Sequence, residues 1–337
     1  MAGGILRGRP AGGISAVILG EVAVTPDVFD AGFFTSADVQ KQILERLREP
    51  LLYEVLVRSL RDQEWETAVL EAARSSNAAK NLIQVLAKRR RFRRFTPQLP
   101  TPPTNHFGWC AEAIASHGAE PLHRVLATPD VAARFKHSGL VSSTDGLSIC
   151  PWFSSRSPNV RPSRETAAYL RTLNLALRHA NRLVFVDAHL DPSRTTPSTT
   201  YAEFIDLLEA ARRVSLPPRI EIHRVAYSGQ GAARVDYMGA GRPLLEANFH
   251  TAWATRLAAV GLQVRVLVWA HFHDRYFVSD LVSFNPANGF DIDRVRHGQN
   301  PSKTIWNRLG RQAIEEVERE FDRATSPWNF LYEFTVP

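Results

Sequence analysis

Apolar runs and helical periodicities share this chain unevenly. Residues 15–24 (SAVILGEVAV) read as a buried strand, followed by the turn-like TPDVFDAG. Thr35 and Ser36 are placed to cap a helix carrying Val39, Ile43, Leu44 and Leu47 on one face, which Pro50 ends or bends. Helical pattern continues through LLYEVLVRSL and from about Glu64 to Ala87. The N-terminal region, residues 1–95, is therefore expected to be one strand plus helices.

TPQLPTPPT, residues 96–104, has four prolines in nine positions and reads as a semi-rigid connector. FSSRSPNVRPSR, residues 153–164, is loop-like and precedes a helical pattern from about Glu165 to His179. Residues 96–164 are thus expected to be a linker-rich connection, with the main boundary near its end and a second lobe over 165–337.

Beyond residue 180 the pattern becomes regular. LVFVD (183–187), TYAEFIDLLEAARR (200–213), RIEIHRVAY (219–227), PLLEANFHTAWATRLAAV (243–260) and LQVRVLVWA (262–270) alternate as strand, helix, strand, helix, strand. Phe249, Trp253, Leu257 and Val260 share one helix face, and Gly261 sits where a glycine cap belongs. The nearly continuous apolar strands predict an α/β fold with a sheet covered on both faces. PSKTIWNRLGRQAIEEVEREFDRA reads as an amphipathic helix with Ile305, Leu309, Ala313, Val317 and Phe321 on its stripe, and the aromatic WNFLYEFTV is expected to pack back onto the lobe.

The chain has 337 residues, ample for two domains, and a composition of 44% hydrophobic and 22% charged residues that suits a folded protein. No stretch is long and apolar enough for a membrane span, and the start fits a strand better than a signal peptide. The two cysteines, Cys110 and Cys150, provide no disulfide framework or cysteine-rich zinc site, which suggests a reducing, cytoplasmic setting. A formal net charge of +7 favours polyanionic partners. Neither phosphate-loop nor dinucleotide fingerprint is present, nor the Gly-x-Ser-x-Gly of serine hydrolases.

HFHDRYFVSD, residues 271–280, directly follows the last apolar strand of the alternating region. Strand carboxyl ends are where ligands bind in open α/β sheets, and His273, Arg275 and Asp280 lie just past one. Their spacing, His-x-Arg-x4-Asp, is similar to the His-x-Lys-x4-Asp signature of the phospholipase D superfamily. That resemblance covers about residues 180–295. It implies a phospholipase D-like mixed sheet flanked by helices, and leaves residues 1–95 either as part of a degenerate first lobe or as an unrelated module.

The resemblance also implies a metal-independent phosphodiesterase, with no cofactor. His273 would attack phosphorus to form a phosphohistidine, Arg275 would clamp the phosphate oxygens, and Asp280 would orient an imidazole. Arginine stands where the family has lysine. The family's following Gly-Ser and Asn have no clean counterpart, leaving Ser283, Asn285 and Asn288 as candidates for phosphate binding. The chemistry needs a second histidine and the motif occurs once. A homodimer pairing two copies of His273 would supply it, or His189 in VFVDAHLDP, with His106 and His223 weaker candidates.

DAHLDP also reads as a strand-terminating turn, and Asp187, His189 and Asp191 as a weaker metal option. KRRRFRRF, residues 88–95, has six basic residues and two aromatics. Lys88, Arg89, Arg90, Arg91, Arg93 and Arg94 could track a nucleic-acid backbone while Phe92 or Phe95 stacks on a base, or the run could be a cation-rich helix end. The remaining histidines, His117, His123, His137, His179, His250 and His297, are scattered without ligand spacing. A nuclease for DNA or RNA is the leading expectation. A catalytically inactive nucleic-acid-binding or assembly subunit is the alternative, and a phospholipid phosphodiesterase comes third.

Overall fold

The structure, a computed structural model, describes residues 18–150, 153, 158–213, 216–229, 234–294 and 302–337. Residues 15–17 of the first expected strand, part of the loop over 153–164, and His297 lie outside the described residues. The chain forms two units of an α/β fold. The first comprises residues 1–48, 56–85 and 92–157, and the second residues 49–55, 86–91 and 158–337.

The first unit is built on strands β1 (Gly20–Val24), β2 (Val55–Leu60), β3 (Phe92–Phe95), β4 (Arg124–Ala127) and β5 (Val141–Ser143). They lie in the order β3-β2-β1-β4-β5, and β1 with β4, β2 with β3 and β4 with β5 run parallel. VLVRSL is buried at every position, which is why it reads equally as helix or strand by period; its run of branched residues favours the central strand it forms. The preceding helix, Ala37–Tyr53, is capped by the Ser36 hydroxyl and contains Pro50 in its last turn rather than ending there.

Residues 96–164 differ most from expectation. The proline stretch is irregular, but the helix His106–Ala119 and strands β4 and β5 follow it, so this region completes the first sheet instead of connecting two lobes. The division falls between Ser157 and Pro158.

In the second unit, β6 (Asn159–Val160), β7 (Arg182–Asp187), β9 (Arg219–Val225), β12 (Val264–Trp269), β13 (Arg275–Ser279), β14 (Phe284–Pro286), β16 (Trp306–Arg308) and β17 (Phe330–Val336) form one mixed sheet in the order β17-β12-β9-β7-β13-β14-β16-β6. Short ladders join β8 (Thr199–Thr200) to β15 (Ile292–Asp293) and β10 (Tyr227–Ser228) to β11 (Val235–Asp236). β7, β9 and β12 are parallel, so their carboxyl ends share one edge; β13 is antiparallel to β7 and starts at that edge.

Alternation along the strands covers both sheet faces. Phe185, Phe277 and Phe284 meet Phe204, Phe290 and Trp306 on one side. Val184, Val186, Trp269 and Val278 pack with Val317 and Phe321 on the other. Gly261, at φ +69°, closes the helix Arg242–Val260 in the left-handed conformation that favours glycine. The C-terminal helix begins only at Arg311, because Trp306–Arg308 pairs with β14 and Gly310 intervenes. The final aromatic segment is β17, antiparallel to β12.

Candidate active site

β7 delivers Asp187 and, two residues later, His189 to the edge where β13 begins. Antiparallel pairing sets Arg275 opposite Asp187, with Nε 3.9 Å from Oδ1. Asp187 is fully buried and accepts hydrogen bonds from the His189 amide (3.1 Å), the Tyr201 hydroxyl (3.1 Å) and the Phe290 amide (3.1 Å). Burial raises its pKa while Arg275 and these donors oppose the rise. Gly289, at φ +75°, lets the chain pass so close that a side-chain carbon there would collide with the Asp187 carboxylate and crowd the Arg275 stem.

The amide bond to Asp187 fixes His189 from its own backbone, and its ring lies edge-on to Tyr227 at 6.3 Å. Its Nδ1 is buried without a hydrogen-bond partner. Burial pushes the imidazole pKa down to about 4, and the charges of Arg194, Arg275, Arg224 and His273 push the same way. His189 is therefore neutral at neutral pH, in a cationic surrounding.

Asp191 anchors the next part of that surrounding. It pairs with the buried Arg224 at 3.3 Å and accepts from Tyr237 (3.1 Å) and the Ser193 hydroxyl (2.7 Å). Arg224 is further held by the carbonyls of Val225 and Tyr227. Beside His189, the exposed Arg234 stacks on Tyr227 with its guanidinium 3.9 Å from the ring centroid.

His273 is exposed just ahead of β13. Its position is set by Phe272, which is fully buried and meets Phe321 edge-on at 5.1 Å, so the histidines on either side face outward. His271 packs against Trp328 at 5.3 Å. The anchor of the motif is thus Phe272 together with Phe277 and Val278, while Tyr276 is half-buried.

Arg275, His273 and His189 are brought together, and Asn285 joins them indirectly by donating to the Arg275 carbonyl at 2.8 Å. Asn288 is exposed in the turn before Gly289. Asp280 is elsewhere: it follows β13 at the opposite sheet edge and accepts from the Asn181 amide (2.9 Å) and side chain (2.8 Å). Seven residues of extended chain separate it from His273 by roughly 20 Å, so it cannot orient that imidazole. Ser283, on the return from that edge, is likewise remote from the histidines.

The other histidine candidates have partners of their own. His223 is buried on β9, stacked on Trp269 and accepting its indole N–H at 3.1 Å, with its pKa pushed down to about 3 mainly by burial. His106 packs on Phe33 and Phe107 in the first unit. Among the described residues no group of three or more His, Cys, Asp or Glu is placed to hold a metal ion, and Asp187 and Asp191 serve separate networks.

The basic run is not one continuous cationic strip. Arg91 is buried, Arg93 is paired with Glu21 (2.6 Å) and Glu120 (2.5 Å), and Phe92 and Phe95 are occupied by Trp65 and the Arg58 guanidinium. Lys88, Arg90 and Arg94 are exposed, while Arg89 covers the Tyr53 ring at 4.8 Å.

Residue-pattern reasoning missed Arg194, Arg224, Tyr201 and Gly289. Only Gly289 left a signal, the Asn-Gly of PANGF, since the rest meet through the sheet and not through spacing.

No family model matches the chain, and no curated protein matches it. Among solved structures it is similar to a polyphosphate kinase from Porphyromonas gingivalis, at 11% identity and a TM-score of 0.30, over 50% of this chain and 26% of the kinase chain. The match therefore spans about a quarter of that protein's length. It is also similar to TrmBL2, an archaeal chromatin protein described as showing a novel mode of DNA binding, at 9% identity and a TM-score of 0.27, over 75% of this chain and 82% of that one. No helix among the described residues is long and apolar enough to cross a membrane.

Proposed function

We propose that the second unit is a phospholipase D-like phosphodiesterase that cleaves nucleic acid through a phosphohistidine, without a metal ion. The observation that carries this reading is the convergence of His189, His273 and Arg275 at one sheet edge within a single chain.

Two imidazoles must divide the work. One attacks phosphorus unprotonated; the other protonates the departing oxygen and later takes a proton from the water that releases the phosphohistidine. Burial among arginines keeps His189 unprotonated, which favours it as the attacking group and leaves the exposed His273 as the proton-transfer group. This reverses the assignment expected from the motif. Arg275, held by Asp187 and backed by Arg194 and Arg224, supplies the positive charge that the pentacovalent transition state needs.

The net charge of +7, with Arg234 stacked on Tyr227 beside His189, supports a polyanionic strand as substrate. With DNA and RNA in excess chelator, the intact protein is expected to cleave, and His189→Ala and His273→Ala are each expected to lose at least about a hundredfold in rate. Salt-sensitive binding without cleavage would instead support a non-catalytic nucleic-acid-binding role.

A further inference from the structure

At the other end of β13, the second unit contains a separate cavity of about 250 Å³ lined by four arginines, Arg89, Arg91, Arg308 and Arg311, and by Ser283. Arg91 is 3% exposed, and its Nε and Nη1 have no hydrogen-bond partner. The Ser283 hydroxyl, 2% exposed, is also unpartnered.

Each acid lining the cavity already has a partner, Glu315 within the cavity itself. Asp280 is held by Asn181, Glu315 pairs with Arg311 at 2.8 Å, and Glu318 pairs with Arg182 at 2.9 Å. Glu54 is 3.4 Å from Arg308. Burial and then the charge of Arg89 lower the Arg91 pKa to about 10 while Asp280 opposes the fall, so Arg91 stays cationic at neutral pH. A buried guanidinium with two unused donors, beside like charges and an unused hydroxyl, is costly unless an anion completes it.

We propose that this cavity binds a phosphomonoester, with its phosphoryl group on Arg91 and Ser283. Guanidinium donors match phosphate oxygens in pairs, and several arginines favour a doubly charged group over a carboxylate. Leu281, Val282, Leu309 and Ile314 line the remainder and suit the organic part of such a ligand. The phosphoryl group belongs to a free phosphorylated small molecule or to the terminus of a nucleic acid. The site does not depend on the catalytic reading, being built at the opposite end of the strand.

The test is calorimetric titration of the full chain at constant ionic strength with inorganic phosphate and a nucleoside monophosphate. Oligonucleotides with and without a 5′-phosphate are titrated in parallel. All titrations use the His189→Ala, His273→Ala double variant, so that turnover does not contribute. Saturable phosphate binding is expected, weakened at least about tenfold by Arg91→Gln and measurably by Ser283→Ala. Ser283→Ala, a small change, keeps the test informative if Arg91→Gln fails to fold. Tighter binding of the monophosphate than of either oligonucleotide supports a free ligand, whereas a gain from 5′-phosphorylation supports a strand terminus. Absence of saturable binding, or equal affinity in the parent and in both site variants, would overturn the proposal.

Discussion

Gly289 shows how little room the site leaves. Its φ of +75° and its contact with Asp187 and Arg275 mean that Gly289→Ala must strain the backbone and push the carboxylate away from its partners. A loss of about 1–3 kcal/mol is expected in denaturant unfolding, with activity falling further because Arg275 moves. His189 gives the pH signature: kcat/KM falls as the pH drops through about 4, where its imidazole protonates. His223 acts on stability. Its folded pKa of about 3 lies below the ordinary histidine value of 6.5, so the unfolded chain binds more protons between those limits and stability falls as the pH falls through that window. The loss is on the order of a few kcal/mol, and thermal melts of His223→Phe are expected to vary less between pH 6.5 and 4. That His273, Arg275 and His189 lie near one sheet edge was legible in the sequence because each comes soon after the end of an apolar strand. Asp280 and Ser283 were misplaced because a contiguous motif hides the length of the strand inside it.

The elements that resisted sequence analysis are those whose local pattern agrees with more than one structure. VLVRSL and FRRF are short, and only pairing with β1 and with each other makes them strands. In FRRF, Arg93 bridges Glu21 and Glu120, and Arg58 binds both Glu21 oxygens at 2.9 and 3.0 Å. Arg93→Ala is therefore expected to destabilise the first unit by about 1–3 kcal/mol, read in urea unfolding, without a specific effect on nucleic-acid affinity. Apart from Arg89 and Arg91 in the separate cavity, any contribution of the basic run to following a strand's backbone falls to the exposed Lys88, Arg90 and Arg94. Replacing all three by alanine lowers the slope of log affinity against log salt by at most about 3, while stability is unchanged. The strand-helix alternation beyond residue 180 was legible because β7 and β12 are covered on both faces and read as nearly continuous apolar runs.

For the whole molecule, the prolines at residues 97–103 suggested a break that the fold does not make, since the helix and strands after them join the first sheet. Prolines mark local irregularity but do not say to which core the following residues return. On the proposed mechanism, with His189 and His273 in one chain, the chemistry would need no second copy of the protein, whereas a single motif suggests a homodimer. Mixing His189→Ala with His273→Ala is accordingly expected to restore no activity at any concentration, as followed in a cleavage assay. The central claim is tested most directly by trapping the reaction on a labelled oligonucleotide in excess chelator and mapping the covalent adduct by peptide mass. The expected result is an acid-labile phosphoryl adduct on His189, with turnover dependent on His273. Chelator-sensitive cleavage, or cleavage that persists in either histidine variant, would contradict it.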